Sequence, residues 1–138
     1  NRGLAQRLVI LLRTLPERIA GRKRVRDDYE RRLGQLGGVG FQSIPEGCEP
    51  NHWLTTVVFD ESFGASPTDV IEALRSAGIE ARYSFKPMHM QPVFASNPVV
   101  GGSVAERLFA QSLSLPSGSW ISDEEVAWIC DVIGSARA

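Results

Sequence analysis

The residues best equipped for chemistry fall in three stretches: Asn51-His52-Trp53, then Glu80-Ala81-Arg82 running on to Lys86-Pro87-Met88-His89-Met90-Gln91-Pro92-Val93-Phe94, and finally Leu115-Pro116-Ser117-Gly118. Arg82 can grip an anion through a bidentate fork, and Lys86 can do so as a point charge. Asn51, His52, His89 and Gln91 can bond to ligand oxygens, while Trp53 or Phe94 can stack on a ring. Each residue also has a plainer reading. His52 suits a partly buried structural histidine at a strand start. His89 could pin its loop by bonding backbone carbonyls, and Arg82 could simply pair with Glu80. Trp120 and Trp128 suit packing or an interface. Two histidines without clustered cysteines or carboxylates do not make a metal site.

The composition narrows the class. Apolar residues make up 43% of the 138 residues and charged residues 22%, which fits one globular domain over residues 1–138. The net charge of −1 provides no global field to recruit nucleic acid or an anionic membrane. No apolar run nears the ~20 residues that span a bilayer; the longest, Leu8 to Leu12, is expected to be the buried stripe of a helix. Cys48 and Cys130 are the only cysteines and form no framework, so a reducing cytoplasm fits best. Arg18, Arg22, Lys23, Arg24, Arg26, Arg31 and Arg32 would form a basic helix face. However, Asp27, Asp28 and Glu30 interleave with them, and mixed signs at spacings of four mark a solvated face with Arg24–Asp28, Arg26–Glu30 and Asp27–Arg31 pairs. The chain starts at Asn1 without a methionine, which suggests a piece of a longer protein.

The positioning elements can be read from periodicity and caps. Leu4, Leu8, Leu11, Leu12, Leu15 and Ile19 recur at three and four, an amphipathic helix. Thr14-Leu15-Pro16-Glu17 reads as a capping box that restarts the chain as a second helix. That helix carries Ile19, Val25, Tyr29, Leu33 and Leu36 and ends at Gly37-Gly38. Residues 1–36 are thus a helical lead-in and 37–138 an α+β layer. Strands are expected at Trp53–Phe59, Ile79–Tyr83 and Ser112–Leu115. Helices are expected after Ser66-Pro67-Thr68-Asp69, after Ser103-Val104-Ala105-Glu106 and after Ser122-Asp123-Glu124-Glu125. Their apolar sides are Val70, Ile71, Leu74 and Ala77; Val104, Leu108 and Phe109; and Val126, Ile129, Cys130 and Ile133. The fold class is α+β: a long N-terminal helix pair, then a small three-stranded sheet with helices on one face. So small a sheet leaves its other face to be covered, and a partner domain is the natural candidate.

Three features resemble one family in order and spelling: Gly78-Ile79-Glu80-Ala81-Arg82 followed by Lys86 to Phe94, Val104-Ala105-Glu106-Arg107-Leu108, and Leu115-Pro116-Ser117-Gly118. The chain resembles the C-terminal small domain of DegT-type sugar aminotransferases, which use pyridoxal phosphate and have fold type I. The likeness runs from about Leu15 to Ile133; Leu8-Val9-Ile10-Leu11-Leu12 departs from the family pattern. The resemblance implies amino transfer from glutamate to a keto sugar, in polysaccharide biosynthesis, by a homodimer with active sites near the subunit interface. It implies that Asn51, His52, Trp53, Arg82, Lys86 and His89 contact a nucleotide-sugar, with Arg82 and Lys86 toward its diphosphate. It also implies that pyridoxal phosphate sits in an upstream domain, which supplies the Schiff-base lysine, the acid for the ring nitrogen and the phosphate-binding helix start. Lys23 lies among charged residues and Lys86 precedes a proline in a loop, so neither suits the Schiff-base role. No cofactor is expected on this chain alone, nor turnover. Two other readings are a non-catalytic, self-associating module or remnant domain, and nucleic-acid binding through the arginine helix.

Overall fold

A computed structural model describes residues 2–137, the side chains of Arg2, Leu4 and Ala5 excepted. It opens with one helix, α1 (Arg2–Leu33), with Pro16 inside it. The expected helix pair is therefore a single rod. Pro16 removes one backbone donor, but Thr14 does not cap a new helix: its hydroxyl bonds back to the carbonyls of Ile10 and Leu11, 3.2 Å each. The two halves of the rod differ. Val25, Tyr29 and Leu33 are fully buried, whereas Leu8, Leu11, Leu12 and Leu15 are about half exposed or more, so Leu8 to Leu12 is not a buried stripe. Leu4 in the same pattern lies outside the described side chains.

The sheet has four antiparallel strands in the order β1-β2-β4-β3: β1 (Val39–Phe41), β2 (Thr55–Phe59), β3 (Arg82–Tyr83) and β4 (Ser112–Leu115). The three expected strands are present, the first starting only at Thr55 and the second reduced to Arg82–Tyr83, and β1 is an addition on one edge. It is three residues long and includes a glycine, too short for a period-two signal. Register explains the core. Phe41, Val57 and Leu113 lie opposite one another, as do Thr55 and Leu115, so one face carries the apolar set. Against it pack the second half of α1, α2 (Pro67–Ser76) and α4 (Asp123–Ser135), which bury Leu74, Val70, Val126, Ile129 and Ile133. The alternate residues Thr56, Val58 and Ser114 face the other way and are only half-buried.

Local chemistry fixes the ends. Ser66 and Ser122 accept from the third residue of α2 and α4, and Asp69 and Glu125 return the bond, as expected. α3 (Ser103–Gln111) is different. Its cap is Gly102, without a side-chain bond, and Ser103 is already helical. It also buries no residue: Val104 and Leu108 are about half exposed and Phe109 is half-buried. The expected capping box and apolar burial are both overturned there. Gly38, at φ +78°, is required by close approach, because a Cβ would lie 2.1 Å from the Phe63 backbone nitrogen.

The charged helix face is paired mainly within the chain. Lys23 meets Asp27 at 2.6 Å, Arg26 meets Glu30 at 3.5 Å, Arg31 and Arg32 both reach Asp28, and Arg24 reaches across to Asp123. Only the Arg26–Glu30 pair was expected; Asp28 and Asp27 take other partners because Arg24 is drawn to α4. Its guanidinium also donates to the Ile121 carbonyl at 2.5 Å, tying α1 to the turn after β4. No helix among the described residues is long and apolar enough to cross a membrane.

Candidate functional site

The Asn51-His52-Trp53 stretch is a tight turn leading into β2. The Asn51 Oδ1 accepts from the Trp53 backbone nitrogen at 3.0 Å, an Asx turn that leaves the amide NH2 as its remaining donor. His52 takes φ +50°, rare for a residue with a side chain. That reversal sends its imidazole inward, where it is 7% exposed, and swings Trp53 outward to 57% exposure. Burial first, and then the positive charges of Arg26 and Lys23, hold the His52 pKa below its usual value.

Trp53 becomes a wall between two clefts. On one side is a cleft of about 360 Å³ bounded by Trp53, Glu80, Arg82, Tyr83, Phe85, Ser114 and Ser117. On the other is a cleft of about 430 Å³ whose lining includes Arg26, Cys48, Asn51, His52, Trp53 and Phe85. Phe85 stacks on Trp53, with centroids 6.3 Å apart and planes at 29°, and is itself 76% exposed. The antiparallel pairing of β3 with β4 places Arg82 opposite Ser114, beside Trp53. Arg82 donates to Glu80 through Nε at 2.9 Å and a terminal nitrogen at 2.5 Å. Both side chains are more than 70% exposed, so this is a weak, solvated pair. An incoming anion could replace Glu80 without breaking a buried contact. The floor is fixed by Ser117, which accepts from the Thr55 nitrogen at 2.8 Å and donates to the Leu115 carbonyl at 2.7 Å.

Asn51, His52, Trp53 and Arg82 thus gather around one aromatic pair. Lys86 is exposed and lines none of the clefts described, although its carbonyl accepts from Gln91 at 3.3 Å. His89 lies apart, in a cleft of about 280 Å³ with Met88, Phe94, Asn97 and Val99. Its Nε2 meets Glu106 Oε1 at 2.7 Å, so it pins its loop through a carboxylate and not through carbonyls. Phe94 belongs to the His89 cleft, leaving the stacking partner of Trp53 as Phe85. Sequence reasoning missed Phe85; the signal was an aromatic two residues past the end of a β-strand ending in Arg82-Tyr83.

Other reactive groups do not build a centre. Burial raises the Cys130 thiol to about 12, which keeps it protonated. Among the described residues no three His, Cys, Asp or Glu side chains sit close enough to hold a metal. The residues here also do not fit a pyridoxal phosphate anchor: Lys23 is ion-paired to Asp27 and exposed, and Lys86 is exposed, so neither amine is desolvated.

The fold matches part of the fold of sugar aminotransferases. DesI, solved in the presence of its TDP-sugar product, superimposes at a TM-score of 0.81 with 29% identity, over 90% of this chain and 32% of DesI. The chain belongs to the DegT/DnrJ/EryC1/StrS aminotransferase family, whose model matches residues 5–134. It is similar to EpsN of Bacillus subtilis (strain 168), named as a pyridoxal phosphate-dependent aminotransferase, with 36% identity over 95% of this chain and 33% of EpsN. It is also similar to GDP-perosamine synthase of Caulobacter vibrioides, at 30% identity over 90% of this chain and 32% of that protein. The chain spans about a third of the length of the curated relatives it matches.

Proposed function

We propose that this chain is the small, substrate-side domain of a nucleotide-sugar aminotransferase that transfers an amino group from glutamate to a keto sugar. In this reading residues 1–138 form one domain, and Asn51, His52, Trp53, Arg82, Lys86 and His89 belong to its substrate side. Arg82 forks onto the diphosphate, Trp53 and Phe85 offer a ring face, and the Asn51 amide donates to a hydroxyl. His52 serves mainly from beneath, setting the Trp53 turn. Pyridoxal phosphate, the electron sink of such a reaction, is held by an upstream domain, and the working form is a cytoplasmic homodimer. The chain alone binds neither cofactor nor nucleic acid, inserts in no membrane and turns nothing over. The observation that carries this reading is the exposed Trp53–Phe85 stack beside a loosely held Arg82, in a family of sugar aminotransferases.

The test uses the full-length enzyme with Trp53→Ala and Arg82→Ala. Each is expected to raise the KM for the nucleotide-sugar about tenfold or more while leaving the glutamate half-reaction unchanged. An unchanged KM in both variants contradicts the assignment. For the chain alone, a visible cofactor absorbance that Lys86→Ala abolishes would overturn the claim that the cofactor is held elsewhere.

The half-exposed leucines of α1 favour one further reading, a module that self-associates through that stripe. It requires a dimer or larger assembly of the chain alone; a monodisperse monomer at high concentration removes it.

A further inference from the structure

The start of α3 has a carboxylate in an unexpected place. In a Ser-x-x-Glu sequence, Glu106 should turn back to the helix end, as Asp69 and Glu125 do in α2 and α4. Instead α3 has no side-chain cap, and Glu106 Oε1 lies 2.7 Å from His89 Nε2. The helix forgoes its cap to hold a histidine 17 residues upstream. Gly102 makes room for this. It sits at φ +107°, and a Cβ there would lie 2.9 Å from His89 Cε1 and 3.2 Å from Nε2. The Nε2–Cε1 edge of the imidazole is therefore pressed into a notch formed by Gly102 and Glu106. In the Met88–Met90 turn, the flanking methionines are 58% and 40% exposed, while the His89 side chain is 21% exposed.

We propose that Glu106 is a positioning residue: its carboxylate takes the Nε2–H of His89, fixes the imidazole in one tautomer and orientation, and so presents Nδ1 as an acceptor for a sugar hydroxyl. An ionised carboxylate can only accept, so the shared proton rides on Nε2, and in the neutral imidazole the lone pair is then on Nδ1. The clamp also holds the Met88–Met90 turn that follows Pro87. The inference rests on the substrate-side reading of His89, but its first readout does not.

The first experiment records ¹⁵N shifts of the imidazole in the histidine-labelled chain near neutral pH. Wild type is expected to show His89 as a single Nε2–H tautomer. Glu106→Gln, whose amide oxygen still accepts, should keep it. Glu106→Ala should give a tautomer mixture, and so should Gly102→Ala, which crowds the Nε2–Cε1 edge and pushes it off Glu106. If Glu106→Ala does not fold, Gly102→Ala decides the point; the wild-type tautomer persisting in the alanine variants overturns the clamp. The second experiment, in the full-length enzyme, separates positioning from mere bracing. Glu106→Ala is expected to raise the nucleotide-sugar KM about fivefold, with Glu106→Gln close to wild type and the glutamate half-reaction unchanged. A KM unaffected by Glu106→Ala, while Trp53→Ala still raises it, defeats this inference and leaves the substrate-side assignment standing.

Discussion

The two halves of α1 carry the same pattern to opposite ends. Leu8, Leu11, Leu12 and Leu15 recur at helical spacing, as Val25, Tyr29 and Leu33 do at steps of four, yet the first set is about half exposed or more and the second is wholly enclosed. Hydrophobic periodicity states that a face needs cover; it does not state who supplies it. In the second half, α4 and the core cluster beneath it supply that cover. In the first, nothing within the described residues does. α3 and α4 repeat the lesson: both are amphipathic, but α4 buries four residues and α3 none. The uncovered apolar surfaces include the first half of α1, α3 and the loop carrying Phe85 and Met88. We propose that they meet the upstream domain.

The comparison can be broken most forcefully within one helix and one residue type. Leu33→Ala should cost about 2–5 kcal/mol in denaturant unfolding of the chain, because it leaves a cavity in the core. Leu12→Ala should stay within about 0.5 kcal/mol. Similar losses at both sites would mean that the first half of α1 is covered in solution. Next comes Gly38→Ala, expected to cost about 2 kcal/mol or more, since it combines positive φ with a backbone clash at Phe63. A loss below 0.5 kcal/mol, by the same unfolding measurement, would show that the β1 edge can relax.

His52 sharpens the contrast by pH. Its folded pKa is depressed, so the unfolded chain binds the proton more readily. Its contribution to stability is complete above the unfolded value near ~6.5 and is lost as pH falls below it, until the folded pKa is reached. Unfolding midpoints should fall across that acid range, and His52→Gln should flatten the slope. A slope that survives His52→Gln assigns the effect to other groups.

The caps give the smallest effect. Ser66→Ala and Ser122→Ala should each cost about 1 kcal/mol, and Ser103→Ala only a few tenths, because Ser103 caps nothing. Equal losses at all three would restore the expected box on α3.

These pairs also mark how far the sequence could be read. The Ser66 and Ser122 caps, β2, β4 and the apolar sides of α2 and α4 were legible because each is a local pattern answered by a neighbour inside the chain. Pro16 misled because a helix end needs more than a proline and a threonine three residues from a glutamate; with the hydroxyl of Thr14 bonded back, the rod continues. Ser103 misled because Glu106 has a distant competitor in His89, which no local pattern encodes. The gathering of Asn51, His52, Trp53 and Arg82 was partly legible as motifs. Phe85 was not, since its role comes only from stacking on Trp53 across β-strand pairings that sequence alone does not place.

The central claim is that the Trp53–Phe85 face is the substrate side of this domain. Three tryptophans provide the control, because Trp120 and Trp128 are also exposed, at 78% and 51%. The decisive measurement is the ¹⁹F spectrum of fluorotryptophan-labelled full-length enzyme with and without saturating nucleotide-sugar, the Trp53, Trp120 and Trp128 signals each assigned by a Trp→Phe variant. The Trp53 resonance is expected to shift while those of Trp120 and Trp128 stay in place. A Trp53 signal unmoved at saturation would contradict it.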